Sequence, residues 1–455
     1  MTNSLKNKRV TVMGLGLHGG ALGTISWLVK QGAKVTVTDM KSEEQLASSL
    51  KQLGKLKNIN FVLGQHRTEN FTNTDLVIRN PAVPKNSPHL QAARKAGVAI
   101  EMDSSLFFLY SPTTDIIGVT GSKGKTTASH AIAHILGATR VGTDGVSPLG
   151  EVAKLKENST VVFELSSWRL EALTSHKISP PVAVVTSIYR EHLNTYTDLP
   201  EYIAAKKGII RYQKAEDTAI LNYDDAELRT WESEVQGTLY WFSLKELPSG
   251  KEGIYRQDGQ AVVRIKDKEI SIPLHTLALQ ADHEQRNVLP AILIACQRGV
   301  SSEKITAALT SLPRLSHRLE IIRELNGVTY INDSASTMPD ATIAALQSLA
   351  GKSLVLILGG SDKKLEFKEL GTAVDAADVR AIVWLPGSAT ARMKSETQKE
   401  VPQTGAETMT EAVTQAATIA QSGDTVLLSP GATSFGLFKH EFDRGDQFRQ
   451  TVSTL

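Results

Sequence analysis

GVTGSKGKTT, residues 118–127, lies between an apolar segment, DIIGVT, and the helical pattern KTTASHAIAHIL. A loop that binds phosphate needs glycines so that backbone N–H groups converge, a helix N-terminus, a lysine, and a hydroxyl for Mg²⁺. All four are present here, although Val119 stands where the strict spacing places its first glycine. The stretch therefore predicts a strand, a phosphate-binding loop and a helix in an α/β domain.

Strand and helix patterns alternate on both sides of this loop. RVTVMG, KVTVTD, DLVIRN and GVAIEM precede it, TVVFEL and PVAVVTSI follow it, and SLVLILGG, RAIVWLP and DTVLLSPG come near the C-terminus. Such alternation is typical of parallel sheets with crossover helices. Residues 236–275 differ, because short segments separated by turn signals predict hairpins. We expect three doubly wound α/β domains in series: a Rossmann-like domain (1–111), a central P-loop ATPase-type domain with a mostly parallel sheet (112–312) and a second Rossmann-like domain (313–455).

Composition narrows the class of protein. The 50 basic and 48 acidic residues give a net charge of +2, which argues against a nucleic-acid binder. Cys296 is the only cysteine, lies in the apolar run AILIAC and is expected to be a buried core residue, so no disulfide forms within the chain. Residues 10–29 follow a basic start but contain five glycines, and no apolar run of 18 residues occurs elsewhere. We therefore expect a cytoplasmic protein without a membrane span.

A second glycine pattern lies near the N-terminus. Gly14-Leu-Gly16-Leu-His18-Gly19 matches the dinucleotide-binding fingerprint, and Asp39 ends the next strand. Alone the pattern is compatible with NAD, with another nucleotide-containing ligand, or with a tight turn between strand and helix. Beside a phosphate-binding loop it favours ATP in the central domain and a nucleotide-linked substrate in the first.

Three more residues are candidate functional residues because of their order after the loop. Glu164 ends the strand in FELSSW, His192 follows the strand PVAVVTSI, and Lys206 follows in YIAAK. Each has an ordinary interpretation as a solvated glutamate, a surface histidine or a helix lysine. In α/β sheets, however, ligands bind at the carboxyl ends of strands. The order of these residues therefore favours a metal-binding role over the ordinary interpretations.

The chain closely resembles the Mur ligase family of peptidoglycan synthesis. The resemblance extends over nearly the whole sequence and includes GLGLHGG with Asp39, GVTGSKGKTT, FELSSWRLE, EHLNTY, YIAAKKGI, SHRLE, INDSASTMPDA, LGGSDKKLEF and SPGATSFGLFKHEFDRGDQF. The last three indicate the branch that adds glutamate to UDP-N-acetylmuramoyl-L-alanine. The resemblance implies ATP-dependent addition of D-glutamate through an acyl phosphate, with release of ADP and phosphate, by a monomer. The residues themselves do not distinguish D- from L-glutamate.

The resemblance also implies roles for individual residues. The residues implied to bind ATP are Gly121, Ser122, Lys123, Gly124, Lys125, Thr126, Thr127, Asn287, Arg318 and Asp333. The UDP part of the substrate is assigned to Gly14, Gly16, His18, Gly19, Asp39, Asn80 and Ser166. The glutamate is assigned to Thr337, Lys363, Ser434 and Phe435. Two Mg²⁺ ions are assigned to Thr126, Glu164, His192 and a carbamylated Lys206, and catalysis to Lys125, His192, Lys206 and Arg318.

Some positions depart from the family pattern and leave alternatives open. Arg169 replaces a glutamine, Ala335 a lysine and Glu284 an asparagine, while His440-Glu441 replaces asparagine and an aromatic residue, and His18 stands where serine is common. A non-catalytic nucleotide-sugar sensor is therefore one alternative. An NAD-dependent oxidoreductase leaves GSKGKTT unexplained. Another ligase, such as a folylpolyglutamate synthase, leaves the N-terminal fingerprint and the C-terminal motif unexplained.

Overall fold

The computed structural model describes most of the chain. The described residues are 4–16, 20–54, 56–81, 83–143, 146–189, 196–266, 268–275, 281–362, 365–434 and 436–455. They form three sheets, and the chain divides into two compact units, Met1–Leu312 and Pro313–Leu455. The first unit contains two of the sheets and the second unit contains the third.

The first sheet is a doubly wound parallel sheet. Its described strands are β1 (Arg9–Met13), β2 (Lys34–Asp39), β3 (Ile59–Leu63), β4 (Leu76–Arg79) and β5 (Ala99–Glu101). The helices are α1 (Gly20–Lys30), α2 (Ala47–Leu53), α3 (Glu69–Thr72), α4 (Pro88–Lys95) and α5 (Asp103–Tyr110). The order β3-β2-β1-β4-β5 reverses direction at β1, so the crevice for a ligand lies at the carboxyl ends of β1 and β4.

The central sheet is larger and mixed. Its described strands are β6 (Ile116–Thr120), β7 (Thr139–Val141), β8 (Val161–Glu164), β9 (Val182–Val185), β10 (Thr218–Asn222), β11 (Thr238–Ser243), β12 (Gly253–Gln257), β13 (Gln260–Ile265) and β14 (Lys268–Pro273). Their order is β14-β13-β12-β11-β10-β9-β6-β8-β7. Pairing is antiparallel between β12 and β13 and between β13 and β14, which confirms the hairpins expected near the end of this region.

Seven helices are described around the central sheet. They are α6 (Lys125–Leu136), α7 (Pro148–Glu151), α8 (Ser167–Ser175), α9 (Leu199–Lys207), α10 (Ala226–Thr230), α11 (Asp282–Gln297) and α12 (Ser302–Thr310). Short 3₁₀ turns occupy Val152–Lys154 and Glu232–Glu234. Ile132 of α6 and Ile292 of α11 are buried in one apolar cluster with the sheet. Cys296 contacts this cluster but is only half-buried, so the expectation of a fully buried cysteine was wrong in degree, because the residue lies in the last turn of α11.

The third sheet belongs to the second unit. Its described strands are β15 (Glu320–Leu325), β16 (Val328–Asn332), β17 (Leu354–Gly359), β18 (Val379–Leu385), β19 (Gln403–Gly405) and β20 (Thr425–Leu428). The helices are α13 (Pro339–Ser348), α14 (Lys368–Ala376), α15 (Thr390–Glu396), α16 (Met409–Ile419) and α17 (Glu441–Thr454). The order is β15-β16-β20-β17-β18-β19, and β15 pairs antiparallel to β16 through the Asn326-Gly327 turn.

The described part of the chain has no helix that is long and apolar enough to cross a membrane.

Candidate nucleotide and metal site

The loop between β6 and α6 is held against the end of β9. The backbone N–H of Ser122 donates to the carbonyl of Ser187 at 2.7 Å, and the N–H of Lys123 donates to Ser187 Oγ at 3.1 Å. The hydroxyl of Thr186 donates to the carbonyl of Lys123 at 2.5 Å. The loop is therefore fixed by the neighbouring strand end, in front of the N-terminus of a twelve-residue helix.

Two glycines are required by the close packing of this loop. Gly121 has φ +147°, and a Cβ atom there would lie 2.0 Å from Thr186 Oγ1. Gly124 has φ +83°, and a Cβ atom there would lie 2.2 Å from Asn287 Oδ1. Asn287, assigned to ATP from the sequence, is buried and lies directly beside the loop.

Two lysine side chains meet at the same carbonyl group. Lys125 Nζ donates to the carbonyls of Gly121 and Ser122, each at 2.9 Å. Lys206 Nζ donates to the Gly121 carbonyl at 2.8 Å, and the Lys206 side chain is 2% exposed. Lysines from α6 and α9, predicted separately from two motifs, therefore concentrate positive charge at one loop.

The hydroxyl of Thr126 and the carboxylate of Glu164 form a pair at the ends of α6 and β8. Thr126 Oγ1 donates to Glu164 Oε1 at 3.2 Å. Glu164 Oε2 is buried and has no hydrogen-bond partner among the described residues. A buried carboxylate oxygen without a partner is costly, and Mg²⁺ takes oxygen ligands of these two kinds. The pair therefore fits a Mg²⁺ ion.

The remaining metal-site assignments are only partly described. His192 lies outside the described residues. Within the described ranges, no group of three or more His, Cys, Asp or Glu side chains is arranged to hold a metal. The assigned set is of a different kind, since it uses a hydroxyl, one carboxylate, an imidazole and a modified lysine.

The first sheet places the fingerprint loop beside Asp39 and Asn80. Asp39 Oδ2 accepts from the N–H of Leu15 at 2.9 Å and of Gly16 at 3.1 Å. Asn80 Nδ2 donates to the carbonyl of Gly14 at 3.2 Å. Asp39 therefore stabilises the conformation of the loop by accepting hydrogen bonds from its backbone. His18 and Gly19 lie outside the described residues.

A cavity of about 160 Å³ opens at this loop. Its lining includes Gly16, Asn80 and Pro81, which follow strands of the first sheet. It also includes Asp103, the first residue of α5, and Arg169 in α8. Ser166 caps α8 by accepting from the N–H of Arg169 at 3.4 Å, and it is not part of that lining.

In the second unit, Asp333 lies at the carboxyl end of β16. Its Oδ2 atom accepts from Ser336 Oγ at 2.5 Å and from Ser429 Oγ at 2.7 Å. Burial raises the pKa of Asp333 to about 6, against the opposing effect of these two hydroxyls. Ser434 is also buried and follows the same Ser429 strand end.

Arg318 is presented on a tight turn. It is exposed, and its neighbours His317 and Leu319 have φ values of 62° and 44°. Side chains other than glycine rarely adopt this conformation, so surrounding contacts hold the turn. The N–H of Leu319 donates to Asp333 Oδ1 at 3.1 Å. Arg318 and Asp333, assigned together to the nucleotide, are therefore neighbours.

Thr337 lies in the same loop as Asp333, where its N–H donates to the carbonyl of Ala335 at 3.0 Å. Lys363 and Phe435 lie outside the described residues.

Two supporting side chains were missed by the sequence reasoning. Tyr202 OH lies 2.9 Å from Ser122 Oγ in the phosphate loop. Arg444 is fully buried and donates to Ser334 Oγ at 2.9 Å and to the carbonyl of Ala432 at 3.1 Å. Both lie in motifs quoted for the resemblance, but nothing in the local sequence indicates which loop they contact.

Family comparisons cover all three regions. The Mur ligase MurD-like N-terminal domain matches residues 8–101, the Mur ligase middle domain matches residues 119–295, and the Mur ligase glutamate ligase domain matches residues 317–431.

Curated relatives match over nearly their whole length. UDP-N-acetylmuramoylalanine–D-glutamate ligase of Roseiflexus sp. (strain RS-1) is 38% identical over 475 residues, covering 99% of this chain and 99% of the relative. The protein of that name from Acetivibrio thermocellus is 33% identical, covering 99% of this chain and 97% of the relative.

Solved structures share the fold. UDP-N-acetylmuramate-alanine ligase MurC of Thermotoga maritima superposes with a TM-score of 0.65 at 19% identity, covering 98% of this chain and 100% of that one. MurF ligase of Thermotoga maritima, in complex with ADP, has a TM-score of 0.58 at 16% identity, covering 100% and 97%. The expected three-domain α/β architecture with mostly parallel sheets is confirmed. On its matches across all three regions and its relatives of full length, the chain belongs to the Mur ligase family.

Proposed function

We propose that this chain joins D-glutamate to UDP-N-acetylmuramoyl-L-alanine and releases ADP and phosphate from ATP. The observation that carries the proposal is the full-length similarity to ligases named for this reaction, at up to 38% identity among those compared. The described site supports it, because a phosphate-binding loop, two lysines and a buried carboxylate occur together at the end of β6 and β8.

The first chemical step brings two anions together. The alanine carboxylate attacks the γ-phosphorus of ATP, the bond to the β-phosphate oxygen breaks, and an acyl phosphate and ADP result. Catalysis of phosphoryl transfer consists mainly of positioning and charge neutralisation. We assign phosphate contact to the backbone N–H groups of Gly121–Thr127 and to Lys125, whose Nζ already lies 2.9 Å from the Gly121 carbonyl.

Metal binding is assigned to Thr126, Glu164, His192 and Lys206. Bound Mg²⁺ would neutralise phosphate oxygens and orient them. Glu164 suits the role through its buried oxygen without a partner, and Thr126 lies beside it. We propose that Lys206 acts as a carbamate, because the modification turns a buried ammonium beside the loop into an anion that binds or orients toward a cation.

The second step forms the amide. The glutamate amine attacks the acyl carbon and phosphate leaves. We assign the incoming glutamate to Thr337, Lys363, Ser434 and Phe435, and the nucleotide to Asn287, Arg318 and Asp333. The supporting observations are that Ser434 is buried near the end of β20 and that Arg318 is exposed beside Asp333.

The UDP part of the substrate is assigned to the crevice of the first sheet. Gly14, Gly16, His18, Gly19, Asp39, Asn80 and Ser166 are the proposed residues. The cavity of about 160 Å³ beside Gly16 and Asn80 supports this assignment.

The proposal is tested by ADP release from the purified protein with ATP, Mg²⁺ and UDP-N-acetylmuramoyl-L-alanine, across a panel of D- and L-amino acids. ADP is expected only when D-glutamate is added. Release with another amino acid, or none with any, would overturn the proposed substrate. We place the enzyme in the cytoplasm, since the reaction consumes ATP and a UDP-linked precursor. We also propose that it acts as a monomer.

A further inference from the structure

Arg169 lines the cavity beside Gly16 but has no role assigned to it in the reaction proposed above. It replaces the glutamine that is usual after ELSS(F/W) in the family. Its side chain forms a two-pronged ion pair with Asp103 at the start of α5. Nε donates to Oδ1 at 3.0 Å and Nη2 donates to Oδ2 at 2.6 Å. Both side chains are largely buried, with exposed fractions of 12% and 8%. A planar guanidinium in this arrangement is fixed in direction as well as position.

The third nitrogen of the guanidinium points toward the end of β8. Nη1 donates to the carbonyl of Gly142 at 2.5 Å and lies 3.5 Å from the backbone carbonyl of Glu164. The guanidinium carbon lies 5.7 Å from the centre of the Phe163 ring. One side chain therefore contacts the last two residues of β8 and the turn after β7.

The space around these carbonyl groups is tight. Gly142 has φ +86°, and a Cβ atom there would lie 2.6 Å from the Glu164 carbonyl oxygen. The Gly142 turn and the Glu164 backbone therefore lie close together, and Arg169 contacts both.

The Arg169 side chain also carries a charge that its surroundings stabilise. The pKa of Arg169 is raised: burial opposes the shift, and Asp103 and then Glu164 outweigh it. The guanidinium therefore keeps its positive charge where its Nη1 atom lies beside the Glu164 backbone carbonyl. Breaking a buried pair on one side is costly, because the remaining charge has no counterpart.

We propose that Arg169, fixed by Asp103, is a positioning residue that sets the location of Glu164 for binding Mg²⁺. The inference rests on the proposed function, since it takes Glu164 as a metal ligand. It also gives the Arg169 departure from the family pattern a purpose. Groups that hold a metal ligand in place through hydrogen bonds alter metal affinity by about 10- to 100-fold when they are removed.

The test compares Arg169→Gln with a control pair of the same chemistry. Arg298 forms a two-pronged pair with Asp115, with contacts of 2.8 and 2.6 Å, at the opposite end of β6 from the loop. Arg298→Gln therefore removes an ion pair of similar geometry, but more exposed to solvent, without touching the proposed site. Asp103→Asn is the second test variant, because it keeps the side-chain shape and removes only the charge.

Binding of Mn²⁺ in the presence of ADP is measured by electron paramagnetic resonance on the full chain, with thermal unfolding as the check on folding. We expect Arg169→Gln and Asp103→Asn to weaken Mn²⁺ binding about 10-fold, with Arg298→Gln unchanged. If Arg169→Gln does not fold, Asp103→Asn decides the result. Test variants that bind Mn²⁺ like wild type, or no more weakly than Arg298→Gln, overturn the inference alone. Wild-type protein that binds no Mn²⁺ with ADP overturns the proposed function as well.

Discussion

Thr126 Oγ1 lies 3.2 Å from Glu164 Oε1, so the first turn of α6 and the end of β8 are joined by a hydroxyl and a carboxylate. The second oxygen of that carboxylate is buried and has no hydrogen-bond partner among the described residues. Removal of a buried polar group from water without compensation is unfavourable. A cation bound at this place would supply the compensation.

Glu164→Gln tests this relationship. The amide keeps the shape but removes the negative charge, so we expect the Mg²⁺ concentration for half-maximal ADP release to rise about 10-fold or more. The free energy of unfolding should not fall, because the buried carboxylate oxygen that has no hydrogen-bond partner is replaced by part of an uncharged amide. Activity is measured against Mg²⁺ concentration, and stability by urea denaturation. An unchanged Mg²⁺ requirement would show that Glu164 is not a metal ligand.

Gly124→Ala tests the packing of the phosphate loop. A Cβ atom there meets Asn287 at 2.2 Å, so the loop must shift and ATP binding should weaken by at least about 10-fold, equal to about 1.4 kcal/mol. Gly137→Ala is the control, since Gly137 also has a positive φ, +63°, at the other end of α6 but nothing within 4 Å. Calorimetry with an ATP analogue compares the two variants. Equal losses would mean that backbone strain, and not loop geometry, is responsible.

Lys206→Ala tests the proposed carbamate. Turnover should fall by about 100-fold or more, since even groups that only orient metal ligands have effects approaching this size. Short-chain carboxylic acids should restore part of the turnover. Lys207→Ala is the control on the same helix, because Lys207 pairs with Glu234 away from the loop. ADP release with and without added acid is the measurement. A variant that added acids do not rescue at all would argue for the unmodified ammonium.

Asp333→Asn tests the buried carboxyl of the second unit. The folded-state pKa of about 6 is above the ordinary value of 3.8, so the unfolded chain loses its proton first as pH rises. The free energy of unfolding of the wild type therefore falls between about pH 4 and pH 6 and stays low above that window. The asparagine side chain does not ionise, so the free energy of unfolding of the variant does not fall in this pH window. Its stability relative to wild type should rise by about 2 kcal/mol from pH 4 to pH 7.

Urea denaturation at several pH values follows this difference. A difference that is constant with pH would contradict the raised pKa. A separate binding measurement on Asp333→Asn tests its proposed nucleotide contact.

Local sequence patterns predicted the helix and the strand that carry the central site. The helix expected for KTTASHAIAHIL has the same bounds as α6, because glycines flank it and its apolar spacing is helical. Glu164 ends a strand whose four residues are all buried, as its apolar run indicates. The antiparallel turn at Asn326-Gly327 follows from residues that tolerate positive φ.

Other features depend on contacts between distant residues. β3 was not anticipated, because its sequence INFVL lies on a sheet edge where two residues are exposed and no long apolar run forms. The Asp103–Arg169 pair joins residues 66 positions apart. One of the two left-handed residues beside Arg318 is a leucine, a residue type that does not signal positive φ. Spacing along the sequence carries no information on such contacts.

We propose that the loop at residues 118–127 holds ATP while its terminal phosphoryl group passes to a carboxylate. UDP-N-acetylmuramoyl-L-alanine labelled with ¹⁸O in the alanine carboxylate measures this directly. After reaction with ATP, Mg²⁺ and D-glutamate, mass spectrometry of the released phosphate should find one ¹⁸O atom per molecule, because the acyl phosphate breaks at the acyl carbon. Phosphate without label, from protein that forms the amide, would contradict the account.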